Sequence, residues 1–271
     1  MASTRSFGPT KSLNPNSSLR RGGAEAVLVK ATPSNEAIFS CSNLSLDLGG
    51  REVLRKIGFS LRPGEVLGII GPNGAGKTSL LEILSGRYVP KTGEVRLKGR
   101  DVTKLPLFER ARLGLGRTYQ TPIVCDDLTV GETFKAARQA FRPYLTRLDA
   151  EYGAALVDFV TPYSAHNSQL KTFERRKLLL ANLLMRRPDV LLMDEPAAGL
   201  INAEIDEIDQ ILRMLSKEMN VAVVIVEHRM ELLESIADRV IVMDAGEVIA
   251  EGAMVDIIDS PEVRAAYFES H

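Results

Sequence analysis

The stretch that most constrains this chain is residues 71–78: Gly71, Pro72, Asn73, Gly74, Ala75, Gly76, Lys77 and Thr78. It fits the phosphate-loop spacing Gly-x-x-x-x-Gly-Lys-Thr, in which each fixed position answers a physical need. Glycines let backbone N–H groups crowd around phosphate oxygens in conformations that a Cβ forbids. The Lys77 ammonium suits the β- and γ-phosphates, and the Thr78 hydroxyl suits Mg²⁺. The flanks supply the required context. Val66, Leu67, Gly68, Ile69 and Ile70 read as a short buried strand, and a helix is predicted to begin at Ser79, with its N-terminal dipole toward the phosphates. A chance surface turn would not bring both flanks with it. Residues 71–79 are therefore the predicted nucleotide-binding set, with Ser79 as its last member.

Further along, Val190, Leu191, Leu192 and Met193 run into Asp194, Glu195 and Pro196. A carboxylate closing an apolar strand suits Mg²⁺ binding by Asp194, and Glu195 follows where it can polarise an attacking water. Taken alone, the pair would read equally well as an acidic helix cap. Another apolar, β-branched run, Val221, Ala222, Val223, Val224, Ile225 and Val226, ends in Glu227 and His228. The His228 imidazole is placed to touch a γ-phosphate, or else is satisfied by a nearby carbonyl. Between the two motifs lies Gln120, which taken alone is a polar loop residue; glutamines in other phosphate-loop enzymes reach Mg²⁺ and orient water.

Together, the phosphate loop at Gly71, Gln120, Asp194 with Glu195, and His228 resemble the ABC ATPase family over nearly everything from residue 38 onward. Within it the chain is most similar to ATP-binding subunits of bacterial branched-chain amino acid importers. Three segments carry the finer match: Arg62 to Glu65, Glu195 to Leu200, and the tail from Pro261 to Tyr267. Cassettes for urea or lipopolysaccharide share similar phrases. The resemblance implies a P-loop NTPase core of α/β class, with an antiparallel β subdomain and a helical subdomain over about residues 129–185. It implies ATP and Mg²⁺ as cofactors, Gln120, Glu195 and His228 as catalytic residues, and Thr78, Gln120 and Asp194 around the metal. It also implies transmembrane permease partners and a peripheral position on the cytoplasmic face of the inner membrane. The implied function is ATP hydrolysis that drives solute movement, with amino acid import as the expected transport. The alternatives are a regulatory nucleotide-binding subunit with little hydrolysis and a soluble cassette of DNA repair or translation. Intact Glu195 argues against the first. The second usually brings a coiled-coil insertion or two cassettes per chain, and neither is seen.

The departures from the family are informative. Its signature, close to Leu-Ser-Gly-Gly-Gln, corresponds to Leu170, Lys171, Thr172, Phe173 and Glu174. In the family this motif grips the nucleotide held by the opposite subunit. If glycine-only angles are required, Phe173 would be strained, while Lys171 could bring a compensating charge or be a solvated lysine at a helix start. A homodimer would close both of its sites with this altered motif. The expected arrangement is therefore a heterodimer with a second, different ABC ATPase. An adenine-stacking aromatic is expected near Leu48 and is missing, and Ile201 stands where the family's interface loop has Asp.

Composition bounds the rest. The 271 residues are 45% hydrophobic and 25% charged with net charge −1, enough for one large domain and without support for nucleic-acid binding. Cys41 and Cys125 lie far apart and read as buried or incidental thiols in a reducing compartment. No apolar run approaches the ~18 residues that span a bilayer. Residues 1–36, rich in Ser, Asn, Pro, Gly and Arg, are expected to be a disordered extension, with an organelle transit peptide as the lesser reading. Residues 37–271 are the expected ATPase domain. A leucine stripe (Leu178, Leu179, Ala181, Leu183, Leu184) reads as core packing of a helix.

Overall fold

The computed structural model describes residues 37–140 and 142–258. The expectations for residues 1–36 and for the tail at 261–267 lie outside them. The described chain opens on a hairpin, β1 (Phe39–Leu48) and β2 (Arg51–Leu61). β3 (Val66–Ile70) leads through the phosphate loop into α1 (Lys77–Ser85), two residues earlier than the sequence reading places the helix start. β4 (Thr92–Leu97) and β5 (Arg100–Asp101) rejoin the hairpin, completing a four-stranded antiparallel sheet in the order β2-β1-β4-β5. α2 (Leu107–Arg112) and β6 (Leu115–Arg117) precede the helices α3 (Val130–Gln139), α4 (Arg147–Leu156) and α5 (Thr172–Leu184). Strands and helices then alternate: β7 (Val190–Asp194), α6 (Asn202–Arg213), β8 (Ala222–Val226), α7 (Met230–Ile236) and β9 (Arg239–Asp244). β10 (Glu247–Gly252) and α8 (Met254–Ile258) end the described chain.

The second sheet runs β10-β9-β3-β8-β7-β6. Its strands from β9 to β6 are parallel, and only β10 at the edge is antiparallel. β3, β7 and β8 are buried along their whole length, which is why they read as unbroken apolar runs and not as alternating ones. Successive side chains still point to opposite faces. Val66, Leu191, Met193, Val223 and Ile225 enter a core shared with α3 to α7. Leu67, Ile69, Val190, Leu192, Val224 and Val226 enter a second core with α1 and the antiparallel sheet. The sheet is thus sandwiched between the helical and antiparallel layers.

Polar groups fix the layers in register. Arg110, fully buried, donates to the carbonyls of Ile83 (2.8 Å) and Leu84 (2.9 Å) in the last turn of α1, and to Thr103 and Leu105. Burial pushes its guanidinium down to about 10, still a cation at the negative end of a helix. Thr129 accepts from the Glu132 N–H (3.2 Å) and Glu132 accepts in return from the Thr129 N–H (2.8 Å), a reciprocal cap where the helical region was predicted to begin. Two sequence readings are corrected here. Residues 115–117, before Gln120, form an edge strand that sequence reading does not give. Only part of the leucine stripe is core: Leu178, Ala181 and Leu184 are buried, while Leu179 and Leu183 are half-buried and line an apolar groove. Cys41 is buried, which pushes its thiol up to about 12, whereas Cys125 is exposed.

Candidate functional site

In a parallel sheet the carboxyl ends of adjacent strands open on one edge, and ligands of open α/β sheets bind outside it. Here the order β9-β3-β8-β7-β6 brings together segments far apart in the chain. β3 delivers the loop at 71–76, β8 delivers Glu227 and His228, β7 delivers Asp194 and Glu195, and β6 delivers the segment to Gln120. Topology alone thus gathers the predicted residues.

The phosphate loop surrounds a cleft of about 520 Å³ lined by Asn73, Gly74, Gly76, Lys77, Thr78, Ser79 and Glu195, with Arg51, Glu52, Val53, Arg55 and Ala245 on its other wall. Its glycines are required by geometry. A Cβ on Gly71 (φ 152°) would stand 2.1 Å from the Met243 carbonyl oxygen, and one on Gly76 (φ 100°) 2.7 Å from Leu54. Ala75 is buried, and its carbonyl accepts from the Gly246 N–H at 3.1 Å. The Lys77 ammonium donates to the carbonyls of Gly71 (2.6 Å) and Pro72 (3.0 Å), which holds it inside the loop. Burial lowers its pKa, opposed by the charges of Glu195 and Asp194.

Three predicted residues meet at one carboxylate. Gln120 Nε2 donates to Glu195 Oε2 at 2.7 Å, and His228 Nε2 lies 3.3 Å from Glu195 Oε1. Glu195 itself adopts a left-handed backbone, φ 46°, of the kind that costs about 1–3 kcal/mol and collects at functional sites. Asp194 is buried at the end of β7. Burial raises its carboxyl pKa; the Arg117 guanidinium 4.0 Å away opposes the rise, and Glu195 and Glu82 add to it. Of these residues only Glu195 lines the phosphate cleft; Gln120 and His228 join it through that carboxylate.

Sequence reasoning missed the residues that hold this cluster. Arg176 on α5 donates to the carbonyls of Glu195 (3.1 Å), Pro196, Ala198 (2.5 Å) and Gln120 (3.3 Å). One planar fork therefore ties the segment after β7 to the segment after β6. Glu227, 2% exposed, accepts from the N–H groups of Ala197 (2.7 Å) and His228 (3.1 Å). Burial raises its pKa against those donors. Arg117 pins β6 to α1 through Glu82 (2.9 Å), Ser85 Oγ (2.6 Å) and the Leu81 carbonyl (3.1 Å), and its guanidinium lies 4.6 Å from the Tyr119 ring centre. Glu227 carried a signal, a carboxylate closing a buried strand as Asp194 does. Arg176 carried none.

None of Leu170, Lys171, Thr172, Phe173 or Glu174 lines this chain's own cleft. Phe173 lies in the first turn of α5 and is absent from the positive-φ residues, so the strain considered for it does not arise. Glu174 Oε2 accepts from the Lys171 N–H at 2.9 Å and Oε1 from Thr161 Oγ1 at 3.1 Å, so a carboxylate caps this helix start. Leu48 is 41% exposed and also lies outside the cleft, and Ile201 is 67% exposed.

The family model described as ABC transporter matches residues 54–198. The chain is 33% identical over 248 residues to the high-affinity branched-chain amino acid transport ATP-binding protein BraF of Pseudomonas aeruginosa, covering 85% of this chain and 97% of the relative. It is 30% identical over 250 residues to LivG of Salmonella typhimurium, of the same description, covering 86% and 98%. Among solved structures it is similar to the ADP conformation of MJ1267, an ATP-binding cassette of an ABC transporter. That match has a TM-score of 0.77 at 24% identity and covers 86% of this chain and 99% of that one.

Proposed function

The chain belongs to the ABC transporter family as an ATP-hydrolysing subunit, and from that premise we propose that it powers import of a branched-chain type amino acid through membrane permease partners. The observation that carries the catalytic reading is the convergence of Gln120 and His228 on Glu195 at the rim of the phosphate cleft. Lys77 and the amides of residues 71–76 hold the phosphates, with Ser79 at the cleft wall. Thr78, Asp194 and the side-chain amide oxygen of Gln120 supply only oxygen donors, a set that fits a hard cation such as Mg²⁺. Bound there, Mg²⁺ would neutralise phosphate charge. Glu195 takes the proton from water, Gln120 orients that carboxylate, and His228 reports the γ-phosphate to it.

Among the described residues no helix is long and apolar enough to cross a membrane. The permease subunits supply the solute path, and this chain sits peripherally on the cytoplasmic face. Supporting a docking site is the apolar groove of about 430 Å³ between α5 and the segment after β6, lined by Tyr119, Pro122, Ile123, Leu179 and Leu183. Ile123 is 78% exposed there.

The partner ATPase in this reading is a different chain. Leu170, Lys171, Thr172, Phe173 and Glu174 would face the partner's nucleotide, and the capping carboxylate of Glu174 is a poor neighbour for phosphate. A second cassette with a better signature then closes this chain's ATP. Affinity purification from solubilised membranes tests the reading. Permease subunits and a second cassette should travel with this chain, and Lys77→Ala should lower ATPase activity of the complex more than the equivalent change in the partner. Equal loss from both would sink the asymmetry, and recovery of the chain without membrane proteins would sink the transport role.

A further inference from the structure

The cleft beside the phosphate loop has a wall that the phosphate chemistry does not use. Arg51, Glu52, Val53 and Arg55, consecutive or near-consecutive residues of β2, line that wall. The strand is held against the loop by the Arg55 N–H to the Gly246 carbonyl at 2.8 Å, with Val53 packed beside Gly76 and Gly246. A nucleotide seated by its phosphates on residues 71–79 lays its base beside the loop, where a planar group against the purine face would add affinity. Among the described residues no aromatic side chain lines the cleft, and Leu48 stands outside it. Arg55 is committed to Glu52 (3.0 Å) and Glu247 (3.3 Å). The Arg51 guanidinium is exposed and, among the described residues, has no hydrogen-bond or ion-pair partner. It is the planar group left available on that wall.

We propose that Arg51 is the base-contacting residue of this cleft, its guanidinium lying flat on the adenine ring with Val53 as the apolar edge beside it. Arginine stacks on ring faces with the attraction of a cation for a π-system, whichever purine is present. The contact therefore supplies affinity without reading the base. This rests on the nucleotide-binding reading of the phosphate loop.

Titration calorimetry on the full chain separates the two. The probes are ATP, GTP and inorganic tripolyphosphate, each with Mg²⁺, and the variants are Arg51→Ala and Arg51→Tyr. Arg51→Ala should weaken ATP and GTP alike by about 5- to 100-fold, the range for loss of one stacked base contact, and leave tripolyphosphate affinity unchanged. Arg51→Tyr should restore most of the loss, because a ring replaces the guanidinium plane. Unchanged ATP affinity in Arg51→Ala would overturn the proposal. So would a matching loss for tripolyphosphate, which would make Arg51 a phosphate ligand. Wild-type chain that binds neither ATP nor tripolyphosphate would overturn the phosphate-loop reading itself.

Discussion

Glu195 is held by more than its own backbone: its left-handed conformation is kept by groups that arrive from three other segments. Arg176 takes the carbonyls of Glu195, Pro196 and Ala198, Glu227 takes the N–H of Ala197, and Gln120 and His228 take the carboxylate. Arg176 is a positioning residue, since its partners are main-chain oxygens. Arg176→Lys should leave ATP affinity in place while lowering turnover, because a point charge cannot hold four carbonyls in a plane. Arg176→Ala should in addition lower thermal stability by about 2 kcal/mol or more through its lost charged hydrogen bonds. Equal turnover in wild type and both variants would remove Arg176 from the arrangement. Lys77, Thr78, Asp194, Glu195 and His228 were legible because each follows or closes an apolar run. Arg176 was not, because what defines it is a set of carbonyls up to 56 positions away, and no local pattern encodes those.

The strands that place the site declare themselves by full burial. β3 and β8 are short, apolar and rich in β-branched residues, β7 is a short apolar run closing in Asp194, and their length between turn signals favours strands over helices. β6 gives no such signal: three residues with a buried arginine hold their place by pairing with β7 and by bonds to α1. The stripe on α5 misled for a related reason, since an apolar face can line a groove as well as a core. The start of α5 makes its own prediction. Glu174→Ala removes the acceptor for the Lys171 N–H and for Thr161, and should cost about 1 kcal/mol in thermal or urea unfolding. ATP binding at this chain's own Lys77 should not change. Loss of that binding would place Glu174 in the cleft that Lys77 lines, against the geometry.

At the scale of the whole molecule, one edge of one sheet gathers residues from positions 71 to 228, and an apolar groove opens beside the segment that carries Gln120. In the proposed reading, movement of a permease partner in that groove would be felt at Glu195 through the Gln120 amide and the Arg176 fork, so that hydrolysis and transport would share one set of contacts. Family membership was legible from the motif order, whereas the altered residues 170–174 motivate the proposed asymmetric pair. The support of the site by buried polar groups needed the fold. The role of Glu195 as the base for ATP hydrolysis is tested most directly by turnover of the assembled complex carrying Glu195→Gln at saturating ATP. ATP should stay bound while hydrolysis falls by about 10²-fold or more. Turnover equal to that of the wild type would contradict that role.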